Sequence, residues 1–127
     1  MKVLIPLLSK QENKPEFLQR AVQGAKEVLL LLVIDTESTP SQFGFVASEI
    51  GQGNTLMQDV KKQLEKMRKT CNDVIEWGNT ETKIEHIAQL QHVDKIVLLK
   101  QDNQFFKKLL KQMRGKLKME IRVLSVS

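Results

Sequence analysis

Asp35, Gly51 and Gly53 are the residues whose types and positions could bind a small ligand. Asp35 directly follows the apolar run Val28–Ile34. It could hold a ribose or a metal ion at the carboxyl end of a strand, or it could be a solvated aspartate that ends the strand. Gly51 and Gly53 precede a long helical pattern, where their amides could bind an anion. They lack a third glycine and a directly preceding strand, so they do not form the dinucleotide fingerprint, and a flexible loop would use them equally well.

The sequence indicates neither catalysis nor a metal site. Cys71 is the only cysteine, so it excludes an intramolecular disulfide, and no histidine can be named as its partner. His86 and His92 are six residues apart, a poor spacing for two ligands on one helical face. No pair of carboxylates and no nucleophile–base pair can be identified. We therefore expect a protein that is not an enzyme and that has no obligatory cofactor.

Basic residues are in excess and give the chain a net charge of +5. Two clusters carry much of this charge. Such clusters are typical of helix faces in contact with water, but they could also bind nucleic acid. The first comprises Lys61, Lys62, Lys66, Arg68 and Lys69, and the second comprises Lys107, Lys108, Lys111, Arg114, Lys116 and Lys118.

The run Val28–Ile34 has no polar residue and is too short to span a bilayer, which takes about 20 apolar residues. It predicts a strand that is buried on both faces, as in a parallel sheet covered by helices. Further strands are predicted at Lys2–Leu8, Asp73–Trp77, Asp94–Lys100 and Met119–Val126. The last of these alternates apolar and polar residues, which favours an edge position.

Apolar residues at spacings of three and four predict four amphipathic helices between these strands. Their inward stripes are Phe17, Leu18, Ala21, Val22 and Ala25; Leu56, Met57, Val60, Leu64, Met67 and Cys71; Ile84, Ile87, Ala88 and Leu90; and Phe105, Phe106, Leu109, Leu110 and Met113. Residues 36–53 lack a regular pattern and are expected to form a long loop, which could include a short helical piece, with Asn54 or Thr55 capping the helix that follows.

Strands that alternate with helices predict a parallel sheet with right-handed crossovers and helices on both faces, a three-layer α/β/α sandwich. We expect residues 1–127 to form a single domain. The sequence begins with a strand pattern rather than with an apolar region of signal-peptide form. A cytoplasmic location is therefore expected.

The order of these patterns resembles a universal stress protein (UspA-like) domain over nearly the whole chain. Val3–Pro6 resembles the opening strand of that family, Leu31–Asp35 its second strand, and Ile121–Val126 its last strand. The stretch from Gly78 through Thr80, Ile84 and Ala88 to Asp94–Val97 resembles its third helix and fourth strand, with Thr80 in place of the usual proline. The resemblance implies a Rossmann-like fold of the adenine nucleotide alpha hydrolase type, with five parallel strands in the order 3-2-1-4-5.

Nucleotide-binding members of that family carry an acidic residue after the first strand, where this chain has Leu8. They also carry a glycine motif after the fourth strand, whose amides cradle phosphates. Leu99 and Asp102 occupy its first two glycine positions here, and Gln112–Met113 its last pair. The usual ATP-binding residues therefore do not carry over to this chain.

Three functional hypotheses follow. The first is a stress-response regulatory or interaction module that does not bind ATP through the usual loop. It would dimerise through its last strand, with Ile121, Val123, Leu124 and Val126 at the interface. The second is a protein that binds ATP or another nucleotide through non-standard contacts at Asp35, Gly51 and Gly53. The third is a basic accessory protein that binds nucleic acid.

Overall fold

The computed structural model describes residues 1–37 and 43–126. The strands are β1 (Lys2–Pro6), β2 (Glu27–Asp35), β3 (Phe45–Val46), β4 (Thr70–Gly78), β5 (Lys95–Leu99) and β6 (Glu120–Leu124). The helices are α1 (Pro15–Ala21), α2 (Ile50–Lys66), α3 (Thr80–Leu90) and α4 (Gln104–Lys116), and a 3-10 turn at Ala47–Glu49 leads into α2. No helix in these ranges is long and apolar enough to cross a membrane.

The described strands form one sheet in which every pairing is parallel. The five predicted strands run in the order β4-β2-β1-β5-β6, as the resemblance implied. The predicted number of strands was wrong, because β3 is a sixth strand. It pairs with Ile34 and Asp35, where β2 extends beyond the end of β1 and leaves one edge open.

The predicted three-layer arrangement is confirmed. Side chains alternate between the two faces of β2 and therefore belong to two separate cores. Val28, Leu30, Leu32 and Ile34 lie in a core shared with α1 and α2. Leu29, Leu31 and Val33 lie in a core shared with α3 and α4. An unbroken apolar run is what a strand between two helical layers requires, because neither of its faces meets water.

Local signals fix where the helices begin. Pro15 lies in the first turn of α1, where its missing N–H costs nothing. The side chain of Asn79 accepts a hydrogen bond from the Thr82 amide at 3.0 Å and so caps α3. Asn103 accepts one from the Phe106 amide at 2.7 Å and caps α4. Each cap satisfies an amide that has no partner within its own helix.

The predicted loop at residues 36–53 is wrong for its second half. Residues 45–53 form β3, the 3-10 turn and the first turn of α2, so Gly51 and Gly53 are helical. Neither Asn54 nor Thr55 caps α2, because the helix already begins at Ile50. The part of the predicted loop at residues 38–42 lies outside the described residues.

Three residues of the predicted inward stripes lie elsewhere. Cys71 is in β4 rather than on α2, because α2 ends at Lys66 and the strand begins at Thr70. Leu90 is exposed at the last turn of α3. Phe105 is 49% exposed, because the neighbouring Phe106, which is 3% exposed, takes the inward position in the first turn of α4. The third predicted strand is also longer than expected, at nine residues.

Candidate functional site

The carboxyl ends of the parallel strands form the edge of the sheet where a ligand would be expected. The chain passes from β1 to β2 on one side and reaches β5 on the other side of β1. This change of direction opens a crevice between the segments that follow β1 and β5. Two cavities lie along this end of the sheet, one on each side of the residues that end β1.

The first cavity, of about 280 Å³, lies beyond the ends of β1, β5 and β6. Ser9, Gln11 and Lys14 line it from the segment after β1. The segment after β5 lines it on the other side with residues 100–103, and Val126 closes it. Most of these residues are polar, and Lys14 and Lys100 contribute positive charge while Asp102 contributes negative charge. The lining therefore shows no one-sided preference for an anion.

Glu12 holds the segment that follows β1 in place. Its side chain is 1% exposed, and its Oε2 accepts hydrogen bonds from the amides of Leu8 at 3.1 Å and Ser9 at 2.9 Å. Burial raises the pKa of this carboxyl, and the bonds from Ser9 and Leu8 oppose the rise only in part. Glu12 therefore stabilises the turn that shapes the first cavity, and it does so from behind the cavity rather than inside it.

The second cavity, of about 380 Å³, lies on the α3 and α4 side of the sheet. Asp35 and Thr80 line its floor, and Phe43, Phe105 and Lys108 line its walls. The rings of Phe43 and Phe105 lie with their centroids 6.4 Å apart. The cavity thus combines two carboxylates, those of Asp35 and Glu81, with an exposed aromatic ring and a lysine.

Asp35 is buried and strongly hydrogen-bonded. Its Oδ2 accepts bonds from the hydroxyl of Thr80 at 2.6 Å and from the amide of Thr80 at 3.1 Å. Its Oδ1 accepts a bond from the Glu37 amide at 2.7 Å. These contacts join the end of β2 to the start of α3. The aspartate therefore has a structural role, whatever else it binds.

The structure does not bring Asp35 together with Gly51 and Gly53. The two glycines are on α2, which packs on the opposite face of the sheet from the cavity that holds Asp35. A Cβ on Gly53 would lie 2.8 Å from Cδ2 of Leu32, so this glycine lets the helix approach the sheet closely. A Cβ on Gly51 would meet no atom within 4 Å. The three residues cannot form one compact ligand site.

Cys71 is partly buried, and one lysine of each basic cluster is ion-paired. Burial raises the pKa of the Cys71 thiol to about 11, so it is a poor nucleophile at neutral pH. Lys61 pairs with Asp73 at 3.5 Å, and Lys116 lies 3.2 Å from Glu81 and 3.9 Å from Glu85. Within residues 1–37 and 43–126 no three His, Cys, Asp or Glu residues cluster as a metal site would require.

The four residues predicted for a dimer interface are less exposed than expected. Leu124 is 5% exposed and belongs to the core under α1 and α2, and Val126 packs against the same core. Ile121 and Val123 are partly buried against the core under α3 and α4. The expectation of exposed apolar side chains on β6 was wrong, because helices cover both faces of this edge strand. Only its backbone edge stays open in the described structure.

Sequence reasoning missed Glu12, Phe43 and Phe105 as residues that shape the two cavities. Glu12 could not be found from hydrophobic periodicity. It is buried because its carboxylate accepts hydrogen bonds from the amides of the turn after β1. The exposure of Phe105 could have been inferred from Asn103, since an asparagine three residues before Phe106 predicts a helix start there.

No protein-family model and no curated protein matches this chain at a significant level. Several solved structures share its fold over nearly the full length. The hypothetical protein PH0823 is 20% identical, with a TM-score of 0.69 over 99% of this chain and 96% of that one. The hypothetical protein MJ0577 is 22% identical, with the same score and coverage.

Two further structures are of named universal stress proteins. One, in complex with cAMP, is 10% identical, with a TM-score of 0.67 over 100% of this chain and 98% of that one. The other, UspA from Lactobacillus plantarum, is 15% identical, with a TM-score of 0.55 over 98% and 97% of the two chains. The chain therefore has the α/β Rossmann-like fold of the universal stress proteins, as its sequence patterns indicated.

Proposed function

We propose that the chain is a universal-stress-type regulatory or interaction module that acts in the stress response without catalysis. In this proposal it does not bind ATP through the usual glycine loop, and it forms a dimer through β6. The open backbone edge of β6 is the observation that carries this proposal. The shared fold supports it.

Strand β6 can accept a second copy through its main chain. The Leu124 carbonyl accepts a hydrogen bond from the Lys100 amide at 2.8 Å, so Leu124 and, by alternation, Arg122 direct their main-chain groups towards β5. The main-chain groups of Ile121 and Val123 therefore point away from the sheet. No other strand pairs with this edge in the described ranges. Two copies paired here would form a closed, isologous interface.

The connection after β5 supports the absence of the usual ATP loop. Only residues 100–103 separate the end of β5 from the start of α4. The positions that correspond to the last pair of the family motif, Gln112 and Met113, lie inside α4, and Met113 is fully buried. A helix starts where the motif would need a long loop with free amides. Asp102 would in addition repel a phosphate.

The test is the mass of the protein in solution, measured by size exclusion with light scattering over a wide range of concentration. We expect at least a dimer for the wild type and a smaller species for Val123→Lys. Val123→Thr is the matched control, because it retains a β-branched residue without a charge and should leave the assembly unchanged. A wild-type monomer at every concentration would overturn the proposal.

A nucleotide-binding function is the second candidate, and the second cavity favours it. The exposed ring of Phe105 could stack on a base, Asp35 could accept a bond from a ribose hydroxyl, and Lys108 could contact a phosphate. A fold neighbour was solved in complex with cAMP, which shows that this fold can hold a nucleotide. This version of the hypothesis retains Asp35 but does not use Gly51 or Gly53.

Calorimetric titration with cAMP and with ATP plus Mg²⁺ tests this second function. Wild type should release heat on binding, and Phe105→Ala and Lys108→Ala should each weaken binding by tenfold or more, since each loss is worth about 1.4 kcal/mol or more. Lys111→Ala is the control, because Lys111 is on the same helix but does not line the cavity. No heat from either nucleotide would exclude this function.

A further inference from the structure

Strand β4 is the second edge of the sheet and the longer one. It has nine residues, all of which pair with β2 on one side. In the ranges 1–37 and 43–126 no strand pairs with its other side. A long open edge is a template for a further strand, and proteins usually shorten, charge or cover such edges.

Alternate residues of β4 direct their main-chain groups outward. The amide of Thr70 donates to the carbonyl of Lys26 at 3.0 Å, and the carbonyl of Gly78 accepts from the amide of Thr36 at 3.1 Å. Thr70 and Gly78 therefore face β2, as do the other even-numbered residues of the strand. The outward groups belong to Cys71, Asp73, Ile75 and Trp77.

The outward residues also carry exposed apolar surface. Ile75 is 38% exposed and Trp77 is 50% exposed, and alternation places both side chains on the face of the sheet that carries α2. Tryptophan is enriched at protein interfaces relative to the rest of protein surfaces. These two side chains extend the apolar surface of the sheet to its edge, beside the open main-chain groups.

The two acidic residues of β4 are each paired with a lysine from a neighbouring helix. Asp73 lies 3.5 Å from Lys61 on α2, and Glu76 lies 3.8 Å from Lys83 on α3. The strand therefore presents little net charge to an approaching chain. A second strand of the same sequence meets no uncompensated like charge at this edge.

We propose that β4 pairs antiparallel with the β4 strand of a second copy, in the register that places Val74 opposite Val74. This register pairs all nine residues, whereas every other register leaves some unpaired. It places Cys71 opposite Trp77 and Asp73 opposite Ile75, and each of these pairs exchanges two main-chain bonds. About eight bonds would form, and every outward amide and carbonyl of both strands would be satisfied.

Two kinds of side-chain pair in this register are also complementary. On one face the Cys71 sulfur meets the Trp77 ring, a favourable contact. On the other face Asn72 lies opposite Glu76, where an amide can donate to a carboxylate. No two like charges face each other directly. This self-complementarity favours a second copy over a different chain as the occupant of the edge.

The β4 contact goes beyond the proposed dimer and is independent of it. The two edges lie at opposite sides of the sheet, so copies that pair at both edges would form an open row. Its mass would increase with concentration. Copies that pair at one edge only would stop at dimers, and this difference allows the two contacts to be tested separately.

Light scattering of wild type, Ile75→Lys, Val123→Lys and the double variant separates the two contacts. If both exist, wild type forms species larger than a dimer, each single variant stops at a dimer, and the double variant is a monomer. If the β6 dimer fails, wild type is a dimer, and Ile75→Lys alone makes it a monomer. Ile75→Thr is the control for β4. Unchanged mass on Ile75→Lys overturns the β4 contact.

A cross-link tests the register. Opposite residues of a non-hydrogen-bonded antiparallel pair have Cα atoms about 4.5 Å apart, within the range of a disulfide. Val74→Cys with Cys71→Ser should therefore oxidise to a covalent dimer, and reductant should reverse it. Thr70→Cys with Cys71→Ser should not cross-link, since two copies of residue 70 would lie about 27 Å apart. Absence of the Val74→Cys dimer, or equal cross-linking of both variants, contradicts this register.

Discussion

The two edge strands, β4 and β6, differ in how far the helices cover them. Helices α1 and α4 reach over both faces of β6, so Leu124 is 5% exposed and Val123 is half buried. Helices α2 and α3 also pack against β4, but they leave Ile75 and Trp77 of this strand 38% and 50% exposed. Alternation in the sequence of β6 predicted an edge strand with one face in water, whereas both of its faces pack against a core. Which edge is open depends on where the crossover helices lie, and a strand's own pattern does not contain that information.

The largest expected difference between the edges is in stability. Leu124→Ala should lower the free energy of unfolding by about 2–5 kcal/mol, because it leaves a cavity in a packed core. Ile75→Ala should change it by no more than about 0.5 kcal/mol, since the side chain is exposed. Both values come from urea unfolding at a concentration where the protein is monomeric. Similar losses for both variants would show that the two edges are equally covered.

The next largest effect is the pH dependence of the free energy of unfolding, which we expect to arise from Glu12 in the turn after β1. The folded-state pKa of Glu12 is raised by burial, so its stabilising contribution is fully present below the ordinary pKa of 4.5 and is lost as pH rises through the folded pKa. Glu12→Gln cannot ionise and should remove this loss, which unfolding curves at several pH values will show.

Glu12→Ala serves as the contrasting variant at the same position. It removes the acceptor for the Leu8 and Ser9 amides. We expect a loss of about 1–3 kcal/mol for the buried Leu8 amide at low pH, and this loss should shrink as pH rises through the folded pKa of Glu12. If Glu12→Gln is as destabilised as Glu12→Ala at neutral pH, ionised Glu12 stabilises the fold and the inferred direction of its pKa shift is wrong.

The smallest expected effect concerns α2, the helix beside the β4 edge. Gly51→Ala adds a methyl group in open space and should stabilise the helix by about 0.5–1 kcal/mol. Gly53→Ala gains the same propensity but forces its methyl against Leu32, so it should not stabilise. Thermal unfolding measures both. Emission from Trp77, the only tryptophan, should shift only in Gly53→Ala, where α2 must move away from the sheet.

Most of the fold could be predicted, because an unbroken apolar run must be buried on both faces and an apolar helical stripe must pack against a sheet. The run Val28–Ile34 predicted a strand covered on both faces, and both cores are present. Strand β3 could not be predicted, since two residues have no periodicity. Its pairing depends on an edge of β2 that opens only because β1 ends earlier.

The candidate site was harder to predict than the fold. Asp35 was correctly placed at the end of β2, but no local pattern indicated that the amide and the hydroxyl of Thr80 would both donate hydrogen bonds to this carboxylate. Gly53 suggested a loop, since glycine is common in loops. Glycine is required at this position because a Cβ would collide with Leu32. The two residues are 21 positions apart in the sequence, so no local pattern indicates this contact.

Strand β2 has neighbours on both sides for nearly its whole length, with β4 on one side and β1 followed by β3 on the other. Its amides should therefore exchange with solvent deuterium only when the whole molecule opens, whereas those at the margins escape through small local openings. The domain thus has a rigid centre and more labile margins. A partner can therefore bind to or leave β4 or β6 without destabilising the central strand β2.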